Sequence, residues 1–175
     1  MRKLLFALAA ATLIASPATA ALKVGDKAPD FTTMGAVGGK PFKVHLAEQL
    51  KKGPVVLYFF PKAFTSGCTA EAHAFSESIG DFKKAGAQVI GMSADNLPTL
   101  EDFSVKECRN AFPVATASAD VRKAYDVVLK QKPEYANRTS YVIDRKGKIV
   151  MEYTNLDPAE HVERTLAAVK ALKGR

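Results

Sequence analysis

The sequence predicts an α/β fold, a single domain in which a mixed central β-sheet is flanked by helices. Two observations support this prediction. Between residues 55 and 128, short apolar runs alternate with segments whose apolar residues recur at helical spacing. The C-terminal third then holds two strand-like runs joined by a tight turn, and one amphipathic helix follows them. Alternating strands and helices predict parallel strands, and the terminal hairpin adds antiparallel ones, so the sheet is predicted to be mixed.

The first strand and helix units are the most regular part of the pattern. The run Val55–Phe60 is apolar throughout and predicts a short buried strand. Apolar residues at helical spacing then predict a helix that begins at about Cys68. Residues Val89–Met92 predict the next strand, and a second helix is predicted from about Thr99 to Arg109.

The elements of the second half are shorter. Val114–Thr116 predicts a short strand, and Val121–Val128 predicts a helix. Ser140–Asp144 is predicted to pair with Lys148–Tyr153 through the turn at residues 145–147, which makes a hairpin.

The last helix closes the predicted core. From Pro158 onward one helical face is apolar, and Asp157 is placed to cap that helix. The apolar positions are Val162, Leu166, Val169 and Leu172. Two segments predict loops, the glycine-rich stretch 35–39 and Gln131–Asn137. This order of strands and helices matches a thioredoxin-like fold.

The N-terminus has the composition of an export signal. Arg2 and Lys3 precede the apolar stretch Leu4–Ile14, and Ala18–Ala20 supplies the small residues of a signal-peptidase site. We therefore expect residues 1–20 to be a cleaved signal peptide, residues 21–175 to be the mature domain, and the protein to be periplasmic or secreted. The apolar stretch is shorter than the roughly 20 residues of a membrane span, so we expect no stable membrane insertion after cleavage.

Composition and charge argue against two kinds of partner. The chain has a formal net charge of +7, and loss of the two positive charges of Arg2 and Lys3 with the leader brings it to +5. No basic stripe with interleaved aromatic residues accompanies this charge, so no nucleic-acid partner is predicted. The three histidines and two cysteines show no metal-ligand spacing, so neither a metal nor another cofactor is predicted.

The most informative segment leads from the first strand into the first helix. Cys68 lies there behind a hydroxyl and two flexible positions, at the end of the sequence Pro-Lys-Ala-Phe-Thr-Ser-Gly-Cys of residues 61–68. A helix N-terminus offers unpaired N–H groups and the positive end of the helix dipole, and both favour a thiolate. Two cysteines in an exported chain would ordinarily suggest one structural disulfide. The surroundings of Cys68 favour a redox-active thiol instead.

The spacing of Pro61, Thr65 and Cys68 resembles the active-site signature of the peroxiredoxins, the cysteine-dependent peroxidases. Residues 24–31 resemble the N-terminal segment of that family's domain, and residues 138–144 resemble the strand that carries its active-site arginine. The resemblance extends over about residues 22–172. The residues around Cys68 are most similar to the Q-type peroxiredoxins, also called bacterioferritin comigratory proteins.

The resemblance implies a reaction and roles for site residues. Cys68 would attack hydrogen peroxide or a small organic hydroperoxide and become a sulfenic acid. Thr65 and the backbone N–H groups of Gly67 and Cys68 would bind the peroxide oxygens. Arg138 would lie beside the thiolate, and Pro61 would shield the pocket from bulk water.

Three further residues keep more than one interpretation. Glu71 matches a family glutamate that orients the active-site network, and it is equally a first-turn carboxylate favoured by the helix dipole. His73 occupies the position where Q-type enzymes commonly carry a resolving cysteine; it cannot form a disulfide, and we expect a solvated helix residue. Cys108, on the predicted second helix, lies one turn beyond the family's other resolving position near Ser104. It is either the resolving thiol or an idle cysteine in a one-cysteine mechanism.

The leading hypothesis is therefore a thiol-dependent peroxidase in which a Cys68–Cys108 disulfide is reduced by an external thiol or a thioredoxin-like reductant. A thioredoxin-like thiol-disulfide oxidoreductase would share the fold, but such proteins need a CxxC motif, which the sequence lacks. A third hypothesis is a non-enzymatic domain in which the two cysteines form a permanent crosslink. We expect a monomer or a weak dimer.

Overall fold

The computed structural model describes residues 22–173. In this range the chain forms seven strands and five helices. The strands are β1 (Thr32–Val37), β2 (Lys40–His45), β3 (Val55–Phe59), β4 (Gln88–Ser93), β5 (Val114–Thr116), β6 (Thr139–Ile143) and β7 (Ile149–Thr154). The helices are α1 (Leu46–Lys52), α2 (Ser66–Lys84), α3 (Leu97–Lys106), α4 (Ala119–Ala124) and α5 (His161–Lys173). All seven strands belong to one sheet, in the order β2-β1-β5-β4-β3-β6-β7.

The sheet is mixed, as the sequence predicts. At its centre β3 pairs in parallel with β4 and antiparallel with β6. Every residue of β3 is buried, because both faces of this strand are covered. A strand buried on both faces has no reason to alternate apolar with polar residues, which explains the unbroken apolar run that identifies it in the sequence.

The two faces of the sheet bury separate clusters of side chains. Successive strand residues point to opposite faces, so Leu57 and Phe59 join one cluster while Val56 and Tyr58 join the other. The second cluster includes Cys68 and the apolar face of α5, and α5 also packs against α2. The side chain of Tyr58 therefore lies on the same face of the sheet as the thiol of Cys68.

The glycine-rich stretch predicted to be a loop is instead a hairpin. Gly38 and Gly39 both have positive φ angles, of 57° and 72°, and they form a two-residue turn between Val37 and Lys40, which pair across β1 and β2. Two adjacent left-handed residues are what a tight hairpin turn of this kind requires, and glycine adopts them without steric cost. The short helix α1, which follows β2 directly, was also not predicted.

The predicted helix limits need three corrections. α2 begins at Ser66, so Cys68 lies within its first turn and does not start it. α3 ends at Lys106, because the chain turns there and Asn110 N–H donates to the Ser104 carbonyl; Cys108 is therefore not on a helix. α4 begins and ends earlier than the predicted Val121–Val128, at Ala119 and Ala124, since the Ser118 side chain caps it and Asp126 adopts a positive φ of 53°.

The ends of the chain add two findings. The expected leader, residues 1–20, lies outside the described residues. Asp157 accepts a hydrogen bond from Ala159 N–H in the turn before α5, and does not cap the helix itself, which begins at His161. Within residues 22–173, none of the helices combines the length and apolarity needed to cross a bilayer.

The packing of β3 against β4 generates a test of the fold. Gly91 lies beside Tyr58 in the sheet, and a methyl group at Gly91 would come within 2.8 Å of the Tyr58 ring and hydroxyl. Tyr58 cannot retreat because it is stacked on Phe75 and fully buried. Gly91→Ala is therefore expected to lower the free energy of unfolding by about 1 to 3 kcal/mol, measured by urea denaturation.

The matched control is Gly80→Ala, in the interior of α2, where an added methyl group meets no atom within 4 Å. That variant is expected to raise the free energy of unfolding by about 0.5 to 1 kcal/mol, because alanine favours the helix. Equal stability of the two variants would contradict the proposed packing of Tyr58 against β4.

Candidate active site

Cys68 occupies the third position of α2, directly after the loop that leaves β3. Its side chain is buried, with 2% exposure, and its thiol is free. Thr65 is the residue before the helix, and its carbonyl accepts the first intrahelical bond, from Thr69 N–H. The N–H groups of Gly67 and Cys68 therefore precede the helical hydrogen-bond ladder and remain available to an anion near the sulfur.

The guanidinium of Arg138 lies directly beside this thiol. Arg138 immediately precedes β6, and its Nη2 is 3.4 Å from Cys68 Sγ. Nη1 donates to Glu71 Oε2, and Nε donates to the Leu156 carbonyl over 2.8 Å. Arg138 is only 4% exposed, so three separate acceptors fix the position of a buried cation.

Gly67 allows the guanidinium to come this close to the helix. A side chain at Gly67 would place its Cβ 3.1 Å from Arg138 Nη2. That distance is shorter than ordinary van der Waals contact. Arg138 has little freedom to move away, because its other nitrogens donate to Glu71 and to the Leu156 carbonyl. The glycine before Cys68 thus has a packing role that its flexibility alone does not suggest.

Glu71 lies one helical turn after Cys68, and its carboxyl group is buried with Arg138. Burial raises the pKa of Glu71 to about 8, and the charge and hydrogen bond of Arg138 oppose this rise. One oxygen, Oε2, accepts from Arg138, while Oε1 receives no hydrogen bond from any residue in the range 22–173. Of the two interpretations left open by the sequence, the contacts favour the orienting one, because Glu71 is buried against Arg138 and is not a solvated first-turn carboxylate.

The hydroxyl of Thr65 is bound within the loop before Cys68, where it donates to the Lys62 carbonyl over 2.9 Å. A threonine in an exposed loop readily satisfies a nearby backbone carbonyl in this way. Pro61, in the same loop, is half-buried. The loop is held from the other side by Asp95, whose carboxylate accepts from Ala63 N–H over 2.8 Å.

Cys108 is fully buried in the turn that follows α3, and its thiol is also free. Burial, and to a smaller degree the nearby Glu107, raises the pKa of this thiol. The two residues that follow, Arg109 and Asn110, have positive φ angles of 51° and 60°. Consecutive left-handed residues other than glycine store strain, so the backbone next to Cys108 is held in an unfavourable conformation by its surroundings.

Two side-chain contacts tie this turn to α2. His73 Nε2 lies 2.9 Å from Glu107 Oε2, and Arg109 Nη1 lies 3.0 Å from Glu77 Oε1. His73 lies on α2 with 34% of its side chain exposed, and the structure adds its contact with Glu107. Helical spacing could not reveal this contact, since the partner is 34 residues away in the chain.

The structure adds two residues that sequence reasoning missed. His161, at the start of α5, is fully buried and contacts both Ser140 and Asn155. Its separation of 90 residues from Glu71 gave no signal of their proximity, and a histidine without metal-ligand spacing attracts no attention. Asp95 is the second, because its bond to the loop before Cys68 joins residues 32 positions apart.

Comparison of the sequence with known families gives a single consistent match. The profile described as the AhpC/TSA family matches residues 24–152. The chloroplastic peroxiredoxin Q of Populus jackii is 34% identical over 150 residues, which cover 85% of this chain and 68% of that protein. The chloroplastic peroxiredoxin Q of Arabidopsis thaliana is 37% identical over 148 residues, which cover 84% of this chain and 67% of that protein.

Solved structures agree in fold. The peroxidoxin BcpB of Mycobacterium tuberculosis superposes with a TM-score of 0.77 at 29% identity, covering 86% of this chain and 98% of that one. A cysteine-to-serine mutant of PrxQ from Xylella fastidiosa also gives a TM-score of 0.77, at 25% identity, with coverage of 87% and 98%. The expectation of a thioredoxin-like fold with a mixed sheet is thereby confirmed.

The burial of Glu71 predicts how stability depends on pH. The folded protein retains the Glu71 proton up to its pKa of about 8, whereas an unfolded glutamate loses it at about 4.3. Between these values the folded state binds more protons than the unfolded state, so this group's stabilising contribution is lost as the pH rises. Glutamine has no such proton to lose. Between pH 5 and pH 8, the free energy of unfolding of Glu71→Gln should therefore rise by more than about 1 kcal/mol relative to that of the wild type.

Urea denaturation at several pH values measures this difference. The matched variant is Glu163→Gln, whose side chain is on the exposed face of α5; its stability relative to the wild type should stay constant over the same range. A constant difference for Glu71→Gln as well would contradict the burial argument.

Proposed function

Because the chain belongs to the AhpC/TSA family and is a thiol-dependent peroxidase of the peroxiredoxin class, we propose that Cys68 is its peroxidatic cysteine. The observation that carries this proposal is the 3.4 Å contact between Arg138 Nη2 and Cys68 Sγ in a buried site. A permanent cation beside a thiol at a helix N-terminus favours the thiolate, which is the nucleophilic form. Peroxiredoxins use peroxides as substrates and thiols as reductants, and this chain shares both classes of partner.

The proposed reaction begins with attack of the Cys68 thiolate on one oxygen of hydrogen peroxide or a small organic hydroperoxide. A sulfur–oxygen bond forms as the oxygen–oxygen bond breaks, so sulfur is oxidised to sulfenic acid and the peroxide is reduced. The departing oxygen takes up a proton and leaves as water or an alcohol. Arg138 and the N–H groups of Gly67 and Cys68 are aimed at the place where this negative charge develops, which is the arrangement that lowers such a barrier.

The supporting residues have separate proposed roles. Glu71 and the Leu156 carbonyl hold two of the three Arg138 nitrogens, so the third is directed at the sulfur. Pro61 limits the access of water to the thiol. Thr65 is proposed to act on the peroxide only after its hydroxyl leaves the Lys62 carbonyl, since that bond occupies its proton in the resting structure.

We further propose that Cys108 resolves the sulfenic acid. Its thiol would displace the hydroxyl of the Cys68 sulfenic acid, so that a sulfur–sulfur bond forms and water leaves. Cys108 is fully buried, and burial raises the pKa of its thiol, so the turn that holds it must open first. The strained residues Arg109 and Asn110 favour such opening, and the exposed ion pair of Arg109 with Glu77 opposes it only weakly.

An external thiol or a thioredoxin-like reductant would then regenerate both thiols. The leader-like composition of residues 1–20 supports a periplasmic or secreted location, which N-terminal sequencing of the mature protein would test by finding a start at Ala21. A monomer or weak dimer is proposed, and sedimentation of the reduced and oxidised protein measures it.

Replacement of the thiol or of its neighbouring cation tests the proposed reaction. Cys68→Ser is expected to abolish peroxide consumption without unfolding the protein. Arg138→Ala is expected to lower the second-order rate constant with hydrogen peroxide at least about tenfold, since a lost charge-assisted contact is worth about 1.5 to 3 kcal/mol. Stopped-flow kinetics under excess peroxide measures both.

The control for charge is Arg145→Ala. Arg145 is an exposed arginine in the turn after β6, at the opposite end of that strand from Arg138, and its guanidinium donates to the Lys51 carbonyl. The second-order rate constant of Arg145→Ala with hydrogen peroxide should match that of the wild type. Peroxide consumption by Cys68→Ser at the wild-type rate would contradict the proposed role of Cys68.

The oxidation products of the two cysteines test the proposed role of Cys108. Peptide mapping of peroxide-treated wild-type protein without reductant should find a Cys68–Cys108 crosslink. In Cys108→Ser the sulfenic acid on Cys68 should instead persist and react with a dimedone probe. If Cys108 stays alkylatable in oxidised wild-type protein after brief unfolding, while external thiol recycles Cys68, the enzyme works with one cysteine and Cys108 is idle.

A further inference from the structure

His161 is a fully buried histidine whose protonation pattern follows from its contacts. Its Nε2 lies 2.9 Å from the Asn155 carbonyl, and a carbonyl oxygen can only accept, so Nε2 carries a proton. Its Nδ1 lies 2.8 Å from Ser140 Oγ, a hydroxyl that can donate to this nitrogen or accept from it. The Tyr153 ring packs edge-on against the imidazole, with 4.8 Å between centroids, and fixes its plane.

The same nitrogen faces the unbonded oxygen of Glu71. Glu71 Oε1 is 3.8 Å from His161 Nδ1, both side chains are fully buried, and none of residues 22–173 donates a hydrogen bond to Oε1. An ionised carboxylate would here face an imidazole nitrogen that is itself an acceptor in the neutral ring, with both side chains fully buried. One proton between them removes this conflict, and a movement of roughly 1 Å brings the two atoms to hydrogen-bond distance.

Two of the three contacts that fix Arg138 depend on this imidazole. Nη1 of Arg138 donates to Glu71, whose other oxygen faces His161. Nε donates to the carbonyl of Leu156, next to Asn155, whose own carbonyl is bound by His161 Nε2. The imidazole therefore joins α2, β6 and the segment between β7 and α5 at the point where they surround the guanidinium.

We propose that His161 is a positioning residue for the peroxidase reaction, which holds Arg138 against Cys68 through Glu71 and the Asn155–Leu156 segment and shares one proton with Glu71. This proposal rests on the proposed role of Cys68. His161 does not contact the thiol, so it acts through Glu71 and Arg138 alone.

The surroundings of Glu71 and His161 determine which of these two residues carries the shared proton. Burial lowers the pKa of His161 and raises that of Glu71 to about 8, so both groups favour their neutral forms and the proton belongs to Glu71. The titratable and charged groups that face the pair are Cys68, Arg138, Tyr58, Tyr153, Asp157 and Arg164. While Glu71 is neutral, the thiolate of Cys68 is the one buried anion that competes for Arg138 within the described site.

Loss of the shared proton has a consequence for the reaction. Once Glu71 ionises, Arg138 is divided between a carboxylate and a thiolate, and less of its charge is available to the sulfur and the peroxide. As the pH rises, the rate constant with peroxide is therefore expected to increase while the thiolate forms. It is expected to fall again on the alkaline side of neutrality, where Glu71 and His161 lose their shared proton; this falling part of the profile is its alkaline limb.

The test is the pH profile of the second-order rate constant with hydrogen peroxide in four proteins. In His161→Gln the amide oxygen is a far weaker proton acceptor than Nδ1, so the alkaline limb should move to lower pH by roughly half a unit or more, and the rate at pH 7 should fall at least about threefold. In Glu71→Gln the alkaline limb should disappear, because no proton can be lost. The wild type is the reference.

Thr165→Val is the matched structural control. Thr165 lies on α5 one turn after His161, is fully buried, and donates to the carbonyls of His161 and Val162. Loss of its hydroxyl weakens the same helix but removes no contact of the His161 imidazole or of the Glu71 carboxyl group, so the alkaline limb should not move. If His161→Gln and Thr165→Val have the same profile, His161 has a structural role only and the proposal is wrong.

A measurement on the wild-type protein covers the case in which His161→Gln does not fold. Nuclear magnetic resonance of the reduced protein should show His161 Nε2 protonated throughout, and Nδ1 and the Glu71 carboxyl carbon should titrate in one shared step. Independent titration of Glu71 at its ordinary pKa of about 4.3 would overturn the proposal. This measurement uses no peroxide, so it remains decisive even if Cys68→Ser retains activity and the proposed function itself fails.

Discussion

The buried guanidinium of Arg138, which immediately precedes β6, lies between α2 and the segment after β7, and these two supply its three acceptors. Cys68 and Glu71 come from α2, and Leu156 contributes a backbone carbonyl. A cation removed from water is tolerated only when its donors are satisfied, so the three contacts and the fold depend on each other. The position of the sulfur follows from the same constraint, because Cys68 is one of the three acceptors.

The sheet makes this arrangement possible by placing its parts side by side. β3 and β6 are antiparallel neighbours, with Phe59 opposite Thr139, so the chain leaves β3 toward α2 at the end of the sheet where Arg138 precedes β6. The aromatic cluster around Tyr58 then packs below the first turns of α2 and keeps that face free of water. Burial strengthens the attraction between the guanidinium and an anion, which is the physical basis of the thiolate activation that we propose.

The two cysteines lie in the same apolar cluster but in opposite electrostatic surroundings. Cys68 has a cation and a helix N-terminus beside it, whereas Cys108 has the carboxylate of Glu107 next to it and a turn whose backbone is strained. Such a turn is less stable than a regular helix end, so it can open while the centre of the sheet stays intact. In the reaction we propose, Cys68 is the preorganised thiol, and Cys108 is the thiol that must move before it can react.

The sequence by itself determined the mixed α/β fold and singled out the segment that carries the thiol we propose to be reactive, because both depend on local patterns. An unbroken apolar run marks β3, helical spacing marks α2 and α5, and the segment of residues 61–68 marks the position of Cys68. Only the tertiary structure decided which distant residues meet. Glu71 and His161 are 90 positions apart, the partner of His73 is Glu107, and the turn at Cys108 ends a helix that periodicity alone would continue. These contacts arise from packing between elements, and spacing along one chain segment contains no information about them.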